Sequence, residues 1–269
     1  MTTVRDVVQN LETLLPWPNG EVETVDTLLF GNMDDSIRGV AMTFVASYEA
    51  LRDAVAEGCN LIISHEGLFY QHMGNCGTLH EDPVARKKLE YIVQNNVAVY
   101  RLHDRPHRTR PDCIVQGLAK KLGWTDLIVG SHTASFDAPI VQLPSITLGH
   151  LALQVKMAFQ LAWVRVVGDP QLTCRRAGLL PGYRGGGSTA IPYLREAGLD
   201  VVIVGEGPEW ETVEYVRDAA AMGYAKAMIV VGHQQSEEAG MELIADNLRA
   251  LLAPIPVRFI PLQPVFHFL

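Results

Sequence analysis

Three short apolar runs of strand-forming residues, each broken off by a histidine, limit what this chain can fold into more than any other feature. Val97-Ala98-Val99-Tyr100 leads into His103-Asp104-Arg105-Pro106-His107. Leu61-Ile62-Ile63-Ser64 leads into His65-Glu66, and Met228-Ile229-Val230-Val231-Gly232 leads into His233, with Glu237 four residues later. Unbroken apolar runs of this length read as strands covered on both faces, as in parallel sheets. Histidine and carboxylate donors at three strand ends predict one shared ligand site at the carboxyl edge of an open α/β sheet, where such sheets keep their ligands.

The intervening sequence supplies the helices. Val4, Val7, Val8, Leu11 and Leu14 repeat at helical spacing, and Pro16-Trp17-Pro18-Asn19-Gly20 stops that helix. Strands are expected over Thr27 to Gly31 and Val40 to Ala46. A helix then opens on Ser47 and closes at Gly58, and another runs from Pro83 to about Gln94 after a polar loop from Gln71 to Asp82. Helix is expected from about Ile114 to Leu122, and the turn-rich stretch Thr125 to Gly149 reads as a linker. Beyond it come a helix over Leu151 to Gln160 and strands over Trp163 to Val167 and Cys174 to Leu180. A helix from Ser188 to Ala197, a strand from Val201 to Val204 and a helix around Glu211 to Met222 precede the Met228 strand. A helix from about Ser236 to Leu252 and a strand over Val257 to Leu262 complete the chain. Strands alternating with helices of ten or more residues imply βα units. The predicted fold class is α/β, as two similar βαβ-type lobes with mixed, mostly parallel sheets and a metal site between them. The lobes are expected over 1–125 and 126–269.

A weak internal repeat supports two lobes. Gly58 to Gly67 aligns without gaps on Gly198 to Gly207, each after a helix opening on serine, and His103-x-x-x-His107 falls opposite His233-x-x-x-Glu237. The alternative is that strand, turn and glycine cap recur in any two βα units.

Among 269 residues, 48% are apolar and 19% charged, enough for a substantial core. A formal net charge of −8 argues against nucleic acid as a general partner, because phosphate backbones need a basic face. Cys59, Cys76, Cys113 and Cys174 have no CxxC spacing, which suits free thiols in a reducing cytoplasm. No signal peptide is visible, and no apolar run approaches the ~20 residues that span a bilayer. A soluble, cytoplasmic protein without a membrane partner is expected.

Histidine and carboxylate donors without cysteine suit divalent transition ions such as Zn, Mn, Fe or Ni. A carboxylate can bridge two ions, and such pairs sit roughly 3.5–4 Å apart. The expected metal ligands are His65, Glu66, His103, Asp104, His107, His233 and Glu237, for one or two ions. Asp104 either binds directly or holds His103 by its second ring nitrogen. His72, His80, His132, His150 and His267 lack ligand-spaced partners and read as bystanders; His72, just after the His65 strand, is the strongest exception. Glu206, the repeat-mate of Glu66, is the candidate general base. Glu209 and Glu211 follow it. Gly182-Tyr183-Arg184-Gly185-Gly186-Gly187-Ser188 opens a helix and reads either as a phosphate cradle or as a plain turn. Arg101, Arg105, Arg108 and Arg110 either steer an anionic substrate or form ordinary surface pairs.

Gly39-Val40-Ala41, the run Leu61 to Tyr70, Tyr100-Arg101-Leu102-His103, the run Arg165 to Pro170, and Gly232-His233-Gln234-Gln235-Ser236-Glu237 together resemble the NIF-three-like family. These are dinuclear metal-centre proteins also called GTP cyclohydrolase I type 2 homologs, and the resemblance spans nearly the whole chain. It implies two α/β lobes with a two-metal site between them, and toroidal hexamers. It also implies metal ligation by His65, His233 and Glu237. Glu66 stands where the family has a second histidine. His107, or Asp104 after a short gap, stands where the family has a bridging aspartate, and Trp210 stands where many members have histidine.

Two function classes follow. One is a metal-dependent hydrolase using a metal-activated water on a small anionic, phosphate- or nucleotide-like, or cyclic amide substrate. The other is a non-enzymatic metal-binding or regulatory homo-oligomer.

Overall fold

The structure is a computed structural model that describes residues 1–16, 23–72, 81–132 and 137–267, the side chain of His132 excepted. The expected helix stop over Trp17 to Gly20, most of the Gln71 to Asp82 loop with Cys76 and His80, and the side chain of His132 therefore lie outside the described residues. The chain divides into two compact units. One is Met1–Arg110 with Met241–Gln263; the other is Pro111–Gly240 with Pro264–Leu269.

The first unit opens with α1 (Val4–Leu14), whose buried Val4, Val7, Val8 and Leu11 lie on one stripe. Thr3 and Asp6 close its first turn by a reciprocal capping box. β1 (Thr27–Phe30) and β2 (Val40–Thr43) follow, then α2 (Tyr48–Ala56), capped by Ser47. Next come β3 (Leu61–Ser64), α3 (Pro83–Gln94) and β4 (Ala98–Arg101). Asp82 accepts the first two helical amides of α3, and Pro83 stands where a missing N–H costs nothing. A short helix, α4 (Asp104–Arg108), sits where the chain leaves β4.

The second unit begins with α5 (Cys113–Leu122), capped by Asp112 and ended by a left-handed Gly123. The stretch read as a linker is instead structured. A 3-10 turn over Thr125–Leu127 precedes β5 (Ile128–His132) and β6 (Ala138–Thr147), which pair antiparallel, and β6 pairs antiparallel with the later β8. Prolines hid this strand. Pro144 lies where the β6 register shifts between Gln142 and Ile146, a bulge that tolerates a residue without an N–H. Then follow α6 (Leu148–Ala158), β7 (Arg165–Val167), β8 (Thr173–Leu180), α7 (Gly187–Glu196) and β9 (Val201–Val204). A π-helical turn over Glu209–Val213 continues into α8 (Glu214–Ala221), β10 (Ala227–Val230) and α9 (His233–Leu251). Helix α7 is capped by Gly186 rather than opened by Ser188, and α9 begins at His233 rather than near Ser236.

The last strand, β11 (Val257–Phe259), pairs parallel with β2. Residues 241–263 thus belong with the first unit, and α5 belongs with the second, where Val115, Leu118 and Ala119 join a core with Val201 and Ile203. This differs from a division near residue 125 because β2 would otherwise present an unpaired edge. The first sheet has the order β1-β4-β3-β2-β11, parallel except for β1. The second has the order β5-β6-β8-β9-β10-β7, with β8, β9 and β10 parallel and the other pairings antiparallel. Every residue of β2, β3, β4, β9 and β10 is buried, as expected for strands covered on both faces. Alternate residues of β9 serve opposite cores: Val201 and Ile203 face one, Val202 and Val204 the other. No helix among the described residues is long and apolar enough to cross a membrane.

Candidate metal centre

In the first unit the donors gather at the carboxyl ends of β3 and β4. His65 follows the last residue of β3 and is fully buried. Its amide continues the ladder to the Thr43 carbonyl, and its ring Nδ1 lies 3.1 Å from the Leu102 carbonyl oxygen. With Nδ1–H donating there, Nε2 is the nitrogen that could bind a metal. His103 follows β4 by two residues, and its Nδ1 lies 2.9 Å from Asp104 Oδ1. Asp104 Oδ2 accepts the Val25 amide at 3.1 Å and lies 3.7 Å from Arg108 Nη2. The expectation for Asp104 left binding and holding both open; here its carboxylate holds the His103 ring.

Helix α4 carries His107 one turn beyond His103. Ring centroids are 4.5 Å apart for His65 and His103, 5.1 Å for His65 and His107, and 5.3 Å for His103 and His107. These three histidines each offer a ligand atom within 4.8 Å of the others, and Glu66, His72 and His103 form a second such group. Burial and the neighbouring imidazoles push His103 down to about 4, against the opposing pull of Asp104. The ring is therefore neutral near pH 7, the form that binds metal. For Asp104, burial acts upward, but the His103 hydrogen bond and the Val25 amide outweigh it and hold the carboxyl well below its usual range.

Asp26 is a residue that sequence reasoning missed. Its carboxylate accepts the amides of His103, Asp104 and Arg105 at 2.6, 2.7 and 2.9 Å, capping α4 from 77 to 79 residues away. No local spacing signals such a cap. The four arginines near the donors are engaged by protein groups: Arg101 by Glu66 and His72, Arg105 by Glu12 and the Leu15 carbonyl, Arg108 by Asp104 and the Glu23 carbonyl, Arg110 by the carbonyls of His107 and Thr109.

In the second unit, His233 stands between two carboxylates. Its Nδ1 is 2.8 Å from Glu206 Oε1, and its Nε2 is 3.0 Å from Glu237 Oε2, one helical turn on. Glu237 is 2% exposed. A side chain at Gly182, which has a φ of +62°, would run into the Glu237 carboxylate, so the turn after β8 needs glycine here. Ser236 Oγ accepts the Gly182 amide at 2.9 Å and donates to the His233 carbonyl at 2.7 Å, tying that turn to α9. Glu206 thus touches the imidazole from the side that orients a ligating histidine. At the glycine-rich turn, the first helical amide of α7, on Gly187, donates to Glu211 Oε2 at 2.5 Å. A carboxylate of the chain itself sits where a phosphate cradle would hold its anion. Trp210 is exposed in the π-helical turn, and its neighbour Glu209 pairs with Arg165 at 2.8 Å. His150 lies 3.0 Å from Thr147 Oγ1 at the start of α6, and His267 is exposed.

A family model described as Duf34/NIF3 (NGG1p interacting factor 3) matches residues 2–264. A protein of Clostridium perfringens named GTP cyclohydrolase 1 type 2 homolog is 20% identical over 241 residues, covering 87% of this chain and 86% of its own. A Streptomyces coelicolor protein of the same name is 20% identical over 227 residues, covering 77% and 73%. Among solved structures, a hypothetical protein of Staphylococcus aureus matches with a TM-score of 0.77 at 18% identity over 99% of both chains. A Bacillus cereus protein related to NIF3 matches with a TM-score of 0.76 at 16% identity over 100% of this chain and 99% of its own. The structural likeness establishes the fold.

Proposed function

The chain belongs to the Duf34/NIF3 family, and from that premise we propose that it is a metal-dependent hydrolase of small anionic, phosphate- or nucleotide-like, or cyclic amide substrates. The observation that carries this reading is the group of His65, His103 and His107, three imidazoles whose ligand atoms lie within 4.8 Å of one another. Nitrogen donors so placed, with Glu66 beside them, fit one or two ions of Zn, Mn, Fe or Ni. Such an ion would supply Lewis-acid activation of a water molecule or of a substrate oxygen.

The chain's own residues orient and exchange protons. The Leu102 carbonyl and Asp104 turn His65 and His103 so that each presents Nε2. Glu206 and His233 can hold a proton between Oε1 and Nδ1, which makes Glu206 the residue assigned to proton transfer. His233 and Glu237 are assigned to the same ligand set on the strength of the family resemblance.

The test starts with metal content of protein purified without added metal. Phosphoesters, nucleotides and cyclic amides are then screened with the metal removed and restored; the names of the Clostridium and Streptomyces relatives put nucleotides first. Metal-dependent turnover lost in His103→Ala supports the reading. Stoichiometric metal with no turnover on any of these classes sinks it and leaves a non-enzymatic metal-binding assembly. The engagement of all four nearby arginines by protein groups favours that second reading, since none is set aside for an anion. A coordination position open to water separates the two. Cys59 and Cys174 are buried free thiols, which supports a reducing, cytoplasmic setting. A homo-oligomer larger than a dimer, a hexamer by resemblance, is assigned on the same basis; a sharp monomer in light scattering at micromolar concentration overturns it.

A further inference from the structure

The second donor group of the first unit, Glu66 with His72 and His103, already contains a cation of the protein's own. Arg101 is the last residue of β4 and is 3% exposed. Its Nη2 lies 3.0 Å from Glu66 Oε2 and 3.0 Å from His72 Nδ1. Its Nη1 donates to the His72 carbonyl at 2.6 Å and its Nε to the His65 carbonyl at 3.4 Å. A guanidinium has donors only, so His72 Nδ1 must accept, and its lone pair points at Arg101. Glu66 divides its oxygens, with Oε2 on Arg101 and Oε1 3.7 Å from His103 Nε2.

The turn from Glu66 to His72 is shaped around this arrangement. A Cβ at Gly67 would lie 2.6 Å from the Gln71 carbonyl oxygen and 3.8 Å from Arg101 Nη1. Only glycine lets the chain curl back closely enough to deliver His72. The fold does not itself demand a charge here. Ser64 pairs with Arg101 at the end of the first sheet, and Val204 pairs with Val230 at the corresponding place in the second.

We propose that Arg101 is a resident cation that fills the group of Glu66, His72 and His103. The first unit then takes one metal ion, on His65, His103 and His107 with Glu66 contributing through Oε1, and His72 is not a ligand. This rests on the metal-dependent reading above. An always-charged guanidinium and a divalent ion cannot share Glu66 Oε2 and His72 Nδ1, because like charges at that range in a buried site repel with little solvent screening. The arrangement departs from a pair of ions bridged by a carboxylate. Arg101 provides positive charge at the place of the second ion but has no open coordination position.

The test is zinc stoichiometry by elemental analysis and titration calorimetry on the full chain, for the parent, His72→Ala, Arg101→Met, Arg101→Lys and the Arg101→Met/His72→Ala double variant. The His72 side chain is half exposed, so its removal leaves the fold intact. His72→Ala is expected to bind as many ions as the parent with the same affinity. Arg101→Met is expected to bind one more ion than the parent, and the double variant to lose that gain. Arg101→Lys, which keeps the charge, is expected to stay at the parent's number. The proposal is overturned if His72→Ala loses an ion or binds about 10-fold more weakly, the range of a real contributor to a metal site. It is also overturned if folded Arg101→Met binds no more than the parent. Should Arg101→Met not fold, His72→Ala decides alone. A parent that binds no zinc overturns the metal reading itself, an outcome distinct from zinc bound with His72 as a ligand.

Discussion

Strands β1 to β4 of the first unit and β7 to β10 of the second run in the same order and directions. In each, an antiparallel edge strand lies against the last of three parallel strands joined by helical crossovers. The likeness extends below topology. Gly31 and Gly168, with φ of +97° and +122°, end the two edge strands, and a Cβ on them would meet the methyl groups of Ala98 at 2.8 Å and Ala227 at 3.0 Å. The amides of Ala98 and Ala227 donate to the carbonyls of Asn60 and Asp200. Asn60 Oδ1 accepts the Arg38 amide, and Asp200 Oδ2 accepts the amides of Arg175 and Arg176. Generic βα physics does not require a side-chain amide or carboxylate at that point.

The strand ends carry different chemistry. Where the first unit has the buried His65, the second has Gly205, where a Cβ would lie 2.5 Å from Ser236 Oγ. The sheet registers set Arg101 against Val230, His103 against Gly232 and Asp104 against His233. Aligning His103 with His233 by sequence alone is therefore off by one residue. The difference teaches that backbone pairing continues alike through these positions in both units, so the scaffold fixes where a side chain starts but not what it is. Each unit still provides a candidate ligand imidazole with a carboxylate on Nδ1: Asp104 for His103, Glu206 for His233.

The largest expected effect breaks the comparison outright. His65→Ala removes a proposed ligand that the second unit has no counterpart for, and zinc affinity measured by competition with a chelator should fall by more than about 100-fold, beyond the loss of a supporting group. In the same assay, His107→Ala and Glu237→Ala should each weaken binding. The double change should cost less than the sum, by about 0.5–3 kcal/mol of coupling, if both serve one centre. Strictly additive losses would assign them to separate centres.

Asp104→Asn and Glu206→Gln test whether the two carboxylate–imidazole pairs are equivalent. Each should cost about 10–100-fold in affinity. Asp104→Asn should cost more, because the Asp104 side chain is 19% exposed and that of Glu206 is 45% exposed. Equal losses would show that burial does not tune these pairs.

The scaffold likeness is sharpened by Gly31→Ala and Gly168→Ala. Both face a positive φ and a methyl group, so each should lower stability in chemical denaturation by about 1–3 kcal/mol. A tolerant site in one unit and an intolerant one in the other would end the equivalence.

The smallest effect concerns His103, which has no titrating partner at Gly232. Its folded value of about 4 lies below the 6.5 of a free imidazole. Between these values the unfolded chain takes up a proton that the folded chain refuses, so metal-free stability rises with pH through this window and is lost as pH falls. This dependence should vanish from the pH profile of unfolding in His103→Asn. An unchanged profile in that variant would remove His103 as its source.

What the sequence alone determined is local. Helix α3 begins and ends where Asp82, Pro83 and the apolar period place it, β3 and β9 coincide with the unbroken apolar runs, and β4 and β10 each begin one residue away from theirs. Period and caps are satisfied by neighbours within a few residues, so they are visible in the string of letters. His65, His103, His107 and His233 could be picked out for the same reason: each interrupts or follows a buried strand. The tertiary structure decided everything whose partner is remote. Strand β6 exists because β5 and β8 take up its hydrogen bonds, which outweighs the prolines that make it read as a linker. Strand β11 joins the first sheet because β2 offers an edge. Asp26 caps α4, Arg101 settles between Glu66 and His72, and Glu206 turns to His233, each across 27 to 79 residues of chain. A charge or an unpaired amide says only that a partner is needed, and loop closure over the whole chain determines which one it finds.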